Sequence, residues 1–467
     1  MEVAMHILAR LLLAIAAFFV GGCTNVLETR TTHTSAPHAQ VDVTDENFKC
    51  DIGRAETGEF TNSIEDYGKY FLGYVEFDDQ GWSYNQNAQM QALELRLKQE
   101  LADPQNQDTD FLTVVFIHGW HHNAHDNDCN VNEFRSMLRL ANDSYDQLYP
   151  GTFKHRRRIV GIYVGWRGEA VDAYGIRYLT IMDRRYTAEH VAKGAVRELF
   201  ATLRKYEFAE RTNSNRADRM RTVVIGHSFG GLIAFNGLSQ ALLNELALGK
   251  PDKAPDCKPA VSREKTITTI PAWPDMVILI NPAFEASRFE SLHHLMAPVD
   301  GCRYTKDRPK LVVVTADNDS ATGVFFPLFR RVGTLFESYD DSIPRSESRE
   351  RDANWHTIGF VDRYRTHRLC LQPIGGGEYR AVAALTPPKS LDGSRSQDEF
   401  APIWVVGAPP EIIDGHDGFL YARKAKGKLD HYKPQPYLLK WLIDLHTLGP
   451  VPPVMTTPGA CGGWGSK

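Results

Sequence analysis

The chain has 467 residues, a formal net charge of −5, 42% hydrophobic and 24% charged residues. This is an ordinary globular composition with enough apolar material for a large core, and an α/β fold can absorb such a length as one domain with insertions. The slight acidity leaves nucleic-acid binding without support. The only tight basic cluster, His155 to Arg158, is expected to be a solvated loop before a strand.

In chain order, the first element is a continuously apolar run from Leu11 to Val20, preceded by Arg10 and followed by Gly21-Gly22-Cys23. It is too short to span a bilayer and has the length of a signal-peptide core. The small residues before Cys23 resemble the lipobox of bacterial lipoproteins. That resemblance implies a signal peptide at residues 1–22, a lipidated Cys23, and a membrane-anchored protein of the cell envelope, facing the periplasm or the cell surface. An ordinary secretory peptide cleaved elsewhere is the alternative, and either implies export. Residues 23–69 are expected to be an N-terminal extension, with Thr24 to Asn47 as a tether without periodicity. Of the seven cysteines, the six beyond Cys23 form an even set suited to disulfides in an oxidising compartment, with Cys257 and Cys302 the first expected pair. No C-x-x-C spacing supports zinc or a thioredoxin-like site.

From Tyr70 the pattern changes. Strands are expected at Tyr70 to Phe77, Phe111 to Ile117, Ile159 to Val164, Thr222 to Ile225, Met276 to Ile280, Leu311 to Val314 and Ile403 to Val406. Helices are expected at Ala88 to Leu101, Asn132 to Leu148, Thr187 to Tyr206, Leu232 to Leu248 and Tyr437 to His446. Strands so uniformly apolar are buried on both faces, as in a parallel sheet covered by helices. The expectation is a doubly wound, mostly parallel α/β domain at residues 70–448, with a long insertion at about 320–400 before the last strand. Residues 449–467 form a Pro/Gly-rich tail. Within the insertion, Phe325, Phe326, Leu328, Phe329, Val332, Leu335 and Phe336 could line one face of a helix beside Arg330 and Arg331. Such a face is either a lid suited to a lipid-like substrate or, as favoured here, a surface packed on the core.

The chemistry centres on Gly226-His227-Ser228-Phe229-Gly230, set between a β-branched run and an apolar helical stretch. A serine hydroxyl is a weak nucleophile, and a sharp strand-to-helix turn with glycines two positions either side exposes it. Together with the earlier strand ending in His118-Gly119-Trp120, this arrangement resembles the α/β-hydrolase superfamily. The resemblance implies an α/β-hydrolase fold, Ser228 as nucleophile, the backbone N–H groups of Trp120 and Phe229 as an oxyanion hole, and the chain order nucleophile, acid, histidine. Asp319, in the turn after Leu311 to Val314, is the preferred acid, with Asp317 and Glu285 as alternatives. His416, between Gly415 and Gly418 after the last strand, is the preferred base over His356, His367 and His431. His121, His122 and His125 are expected to shape the loop after Trp120, with His118 packed beneath it, rather than to bind metal.

These features lead to a serine hydrolase cleaving an ester or related acyl bond through an acyl-enzyme, carboxylesterase- or lipase-like, on a small-molecule or lipid-like substrate. No metal or cofactor is implied. The membrane is a partner through the N-terminal lipid, and nucleic acid is not. The competing reading is a non-catalytic hydrolase-fold surface lipoprotein that binds a partner through its insertion.

Overall fold

The computed structural model describes residues 28–31, 61–148, 155–168, 181–213, 216, 219–248, 273–295, 309–339, 348–386, 402–419 and 437–447. The expected signal peptide, Cys23, Cys257, Cys302 and the tail 449–467 lie outside the described residues. Among the described residues, Cys129 and Cys370 each take part in a disulfide, and no helix is long and apolar enough to cross a membrane.

The strands in chain order are β1 (Arg30–Thr31), β2 (Thr61–Asn62), β3 (Ile64–Asp66), β4 (Tyr70–Phe77), β5 (Thr109–Ile117), β6 (Arg156–Trp166), β7 (Met220–His227), β8 (Met276–Ile280), β9 (Leu311–Ala316), β10 (His367–Gly375), β11 (Glu378–Leu385) and β12 (Ile403–Ala408). Ten of them form one sheet in the order β11-β10-β12-β9-β8-β7-β5-β6-β4-β3. Every pairing from β10 through β4 is parallel; only the outermost pairs, β10 with β11 and β3 with β4, are antiparallel. Alternation along each strand sends side chains to two cores. Val115, Ile117, Val224 and Val313 join one face, and Val114, Phe116, Val223 and Val314 the other. This explains why the central strands carry no polar face: both sides are covered by helices.

The helices are α1 (Ala88–Ala102), α2 (Cys129–Leu148), α3 (Ile181–Lys193), α4 (Val196–Asn213), α5 (Phe229–Leu248), α6 (Glu290–Leu295), α7 (Phe326–Gly333), α8 (Arg349–Trp355) and α9 (Tyr437–Thr447). The single helix expected over Thr187 to Tyr206 is two, α3 and α4. The break falls where a Cβ on Gly194 would stand 2.2 Å from the Gly81 carbonyl oxygen, and where the Ala195 N–H turns to that same oxygen at 2.8 Å.

Three other expectations need correction. The basic cluster is not a solvated loop, since Arg156 to Arg158 open β6 itself: Arg156 donates to Asn106 at 2.7 Å, and Arg158 pairs with Glu100 at 2.8 Å, tying the start of the strand to α1 and the turn after it. Residues 28–31 are not tether. Arg30 is fully buried, bonded to the Ala124 carbonyl at 2.7 Å and to Glu65 at 2.9 Å, with its guanidinium 3.7 Å above the Tyr74 ring. The insertion, finally, is not only a connection, because its hairpin β10–β11 extends the sheet past β12. Nor does its apolar face pack on the core: Val324, Phe325, Leu328, Phe329, Val332, Leu335 and Phe336 are each 42% exposed or more. The opposite side of α7 is fixed instead, through Arg330 to Glu285 at 3.0 Å and to the side chain of Asn354 at 3.0 Å.

Candidate active site

Ser228 stands between β7 and α5, at the centre of the sheet, with φ of 54°. A left-handed conformation at a non-glycine residue is costly and persists only where the surroundings fix it. Here its N–H donates to the Ile280 carbonyl at 3.0 Å, and its carbonyl accepts from Gly231 at 3.0 Å and Ala283 at 3.1 Å. The flanking glycines are needed because backbone fills the space. A Cβ at Gly226 would lie 2.5 Å from the Gly230 carbonyl oxygen, and one at Gly230 only 2.0 Å from that of Ile117.

His416 lies in the loop after β12. Its Nε2 is 2.8 Å from Ser228 Oγ and its Nδ1 is 2.8 Å from Asp319 Oδ2. Asp319 follows β9 and is buried; the same carboxylate accepts from the Ala321 N–H at 2.9 Å, the Thr322 N–H at 3.2 Å and the Thr322 hydroxyl. Three residues far apart in sequence thus form one hydrogen-bonded series at the end of the parallel strands where loops converge, the usual position of sites in open α/β sheets.

The alternatives are held elsewhere. Asp317 pairs with Arg368 at 2.6 Å and Arg365 at 3.6 Å. Glu285 is buried under Arg185, Arg288 and Arg330. Among the rival bases, His356 caps its own helix through Asp352 at 3.0 Å, and His367 is buried against Trp404 in β12. His431 lies outside the described residues.

Electrostatics follow from these contacts. Burial opposes protonation of His416, but the adjacent Asp319 charge and its hydrogen bond outweigh burial and raise the imidazole above its ordinary value. Burial likewise works against ionised Asp319, yet the His416 charge and the bonds from His416 and Thr322 hold it below the usual carboxylate range.

The loop after β5 lies directly against the serine turn: a Cβ at Gly119 would be 2.9 Å from Ser228 Cβ. Trp120 is next in this loop. Phe229 opens α5, so its N–H belongs to the first turn of a helix, where N–H groups lack intrahelical acceptors. His118 is buried beneath, stacked on Trp166, accepting from the Trp166 N–H at 3.0 Å and paired with the Gly119 carbonyl at 2.9 Å. Its removal from water lowers its pKa to about 4. His122 is tied to Asp128 at 3.0 Å.

Two residues of this site have roles that no motif assigns: Asn281 lies outside any motif, and His227 is a variable position of the serine turn. Asn281, directly after β8, has φ of 45° and joins the end of β9 to the loop that carries His416. Its N–H donates to Val314 O at 2.8 Å, its Oδ1 accepts from the Ala316 N–H at 2.8 Å, and its Nδ2 donates to the carbonyls of His416 at 2.7 Å and Gly415 at 3.1 Å. His227 donates from Nε2 to the same His416 carbonyl at 2.9 Å, and burial followed by the nearby His416 charge lowers its pKa to about 3. The only local signal was adjacency to a strand end and to Ser228.

His227, His416 and Asp417 also bring potential metal-ligand atoms within 4.8 Å of one another. His227 Nε2 is already bonded to the His416 carbonyl, and both His416 ring nitrogens are bonded to Ser228 and Asp319. A metal at this point would displace the contacts just described.

No family model matches the chain, and no curated protein matches it as a relative. Among solved structures it is similar to phospholipase PlaB from Legionella pneumophila, with 13% identity, a TM-score of 0.29, and coverage of 72% of this chain and 59% of that one. The same phospholipase in complex with thio-NAD gives 15% identity, a TM-score of 0.23, and coverage of 60% and 50%. An uncharacterized protein from Pseudomonas aeruginosa gives 10%, 0.21, and coverage of 53% and 42%. The chain thus spans about half the length of these structures. The class of fold rests on the sheet itself: a mostly parallel α/β sheet flanked by helices.

Proposed function

We propose that the protein is a serine hydrolase that cleaves an ester or related acyl bond through an acyl-enzyme. The observation that carries this reading is the series Ser228 Oγ, His416 Nε2 and Nδ1, Asp319 Oδ2, with 2.8 Å at each link.

In this reading the Ser228 oxygen attacks the substrate carbonyl while His416 Nε2 accepts the hydroxyl proton. Asp319 keeps the other proton on Nδ1 and stabilises the imidazolium without itself being protonated. The oxyanion receives hydrogen bonds from the Trp120 and Phe229 N–H groups, a charge-stabilising interaction made in the transition state rather than the ground state. The C–O bond to the leaving group breaks as His416 returns the proton to it. Water then repeats the sequence on the acyl-serine and releases the acid. Asn281 and His227 position the base by holding the His416 carbonyl.

The substrate class we favour is lipidic. What supports it is the exposed apolar face from Val324 to Phe336, which begins five residues after Asp319 in the same segment of chain. Apolar patches of this kind on a soluble surface mark binding or membrane contact. Anchoring through a lipidated Cys23, with export to the cell envelope, is proposed on the sequence alone; Cys23→Ser should release the protein from the membrane fraction, and unchanged fractionation would defeat it. The activity is tested by p-nitrophenyl ester hydrolysis over a range of acyl lengths. Turnover should be present, rise with chain length and vanish in Ser228→Ala. An inactive wild type would favour the non-catalytic binding reading.

A further inference from the structure

Away from the catalytic residues, α3, α4, α5, the turn Ala286–Phe289 and α7 enclose an open cavity of about 540 Å³. Five cations line it: Arg185, Lys193, Arg197, Arg288 and Arg330. Arg185, Glu189 and Lys193 recur at four-residue spacing and so share one face of α3.

The carboxylates facing these cations are fewer. Glu285, only 3% exposed, lies beneath the cavity and is shared by Arg185, Arg288 at 3.0 Å and Arg330 at 3.0 Å. Glu189 takes Arg288 at 2.5 Å and Lys193 at 3.7 Å. Glu337 stands 3.9 Å from Arg330 and is half exposed. Five cations therefore meet three carboxylates, in a protein whose overall formal charge is −5. Like charges concentrated in a partly enclosed space are unfavourable without a counter-charge, and arginine forks converging from separate helices suit an oxyanion with several acceptor oxygens. Asn236, from α5, braces the same wall, accepting from Arg288 at 3.3 Å and donating to Glu189 at 3.1 Å.

We infer that this cavity binds a phosphate group carried by a larger molecule, between the arginines of α3, the Ala286–Phe289 turn and α7. The volume exceeds what a bare phosphate needs. Met182 and Tyr186, respectively 39% and 61% exposed on the rim, offer apolar contact for the remainder of the ligand. Arg330 links the cavity to α7, whose other side carries the exposed apolar residues. The phosphate can therefore belong to a soluble phosphorylated metabolite or to a lipid headgroup, and the two sources make different predictions.

The test uses the purified full chain at low ionic strength with two probes. Glycerol 3-phosphate is titrated by calorimetry, and vesicles of phosphatidylglycerol or of phosphatidylcholine are tested by co-sedimentation. The informative variant is Lys193→Gln with Arg197→Gln, because both side chains reach solvent and neither contacts Glu285; its melting temperature should match the wild type. Glycerol 3-phosphate should bind the wild type and Ser228→Ala equally, weaken with salt, and lose about tenfold or more in the double variant. If only this soluble arm responds, the ligand is a free phosphorylated molecule. If the double variant also loses retention on phosphatidylglycerol, or that arm alone responds, the ligand is a lipid headgroup. Wild type that binds neither probe, or a double variant that binds as well as wild type, overturns the inference. Because Ser228→Ala is expected to bind normally, failure here and failure of the hydrolase reading are distinguishable.

Discussion

Asp319 and Asp317 are two residues apart, and the fold gives them different partners. Asp319 turns inward to His416 at 2.8 Å, whereas Asp317 turns to Arg368 at 2.6 Å. Asp319→Asn should therefore depress turnover strongly while Asp317→Asn leaves it near normal, measured side by side on one ester. Loss of His416 should cost roughly 10⁴-fold in kcat, the scale on which a residue acting as part of a triad is lost. The pH profile follows from the direction of the His416 shift. As a base the imidazole must be neutral, and its value is raised. Activity should accordingly fall as pH drops through a point above the ordinary imidazole value near 6.5. Asp319→Asn should move what remains of this limb to lower pH. The same groups both contribute to stability, with opposite pH dependence. His416, raised on folding, stabilises below its unfolded value and loses that contribution as pH rises through the folded one. Asp319, lowered on folding, stabilises above its unfolded value and loses that contribution as pH falls through the folded one.

The strand-turn-helix of β7, Ser228 and α5 tolerates little change, because the first turn of the helix passes directly over the ends of β5 and β7. Gly230→Ala would drive a Cβ to 2.0 Å from the Ile117 carbonyl, so a lower melting temperature and reduced turnover are expected together. For α7 the prediction is different. Leu328→Asp and Val332→Asp place charge on a face already exposed to solvent, so the melting temperature should hold. Turnover on short-chain esters should hold too, while that on long-chain esters falls; equal activity on both would remove the helix from substrate handling. The elements themselves were unevenly legible in the sequence. The central strands could be read because burial on both faces leaves a simple apolar run. The serine turn, the acidic turn and the loop histidine were expected from the chain order that the resemblance implies, and the fold brings the three side chains within 2.8 Å of one another in series. The break between α3 and α4 could not, since it depends on Gly81 lying against Gly194 from 113 residues away in the chain. The hairpin β10–β11 was hidden by mixed burial along β10, where His367 and Leu369 are buried and Ile374 is 57% exposed. The outward face of α7 was misjudged because periodicity identifies an apolar face without saying what covers it.

Over the whole molecule, Arg30 ties the N-terminal segment to the edge of the sheet where β3 and β4 lie. It shares the carboxylates of Glu65 and Asp126 with the buried Arg135. No local pattern marks this residue, since its partners are 35 and 96 positions away. Burial opposes a charged Glu65, but the two arginines overcome it and lower its pKa to about 2. Removing one member of such a network strands a buried charge, at a cost of about 3–5 kcal/mol. Arg30→Ala should therefore lower the unfolding free energy by that order in urea; an unchanged midpoint would show that residues 28–31 are dispensable. The Glu65 contribution should be fully present above about 4.5 and decline as pH falls towards 2.

The central claim is that Ser228 is an activated nucleophile. The most direct measurement is reaction of the purified protein with a fluorophosphonate, followed by mass spectrometry of the intact chain and its peptides. One adduct, at Ser228, is predicted, absent in Ser228→Ala and greatly slowed in His416→Ala. No adduct, or labelling that persists in Ser228→Ala, would contradict the account.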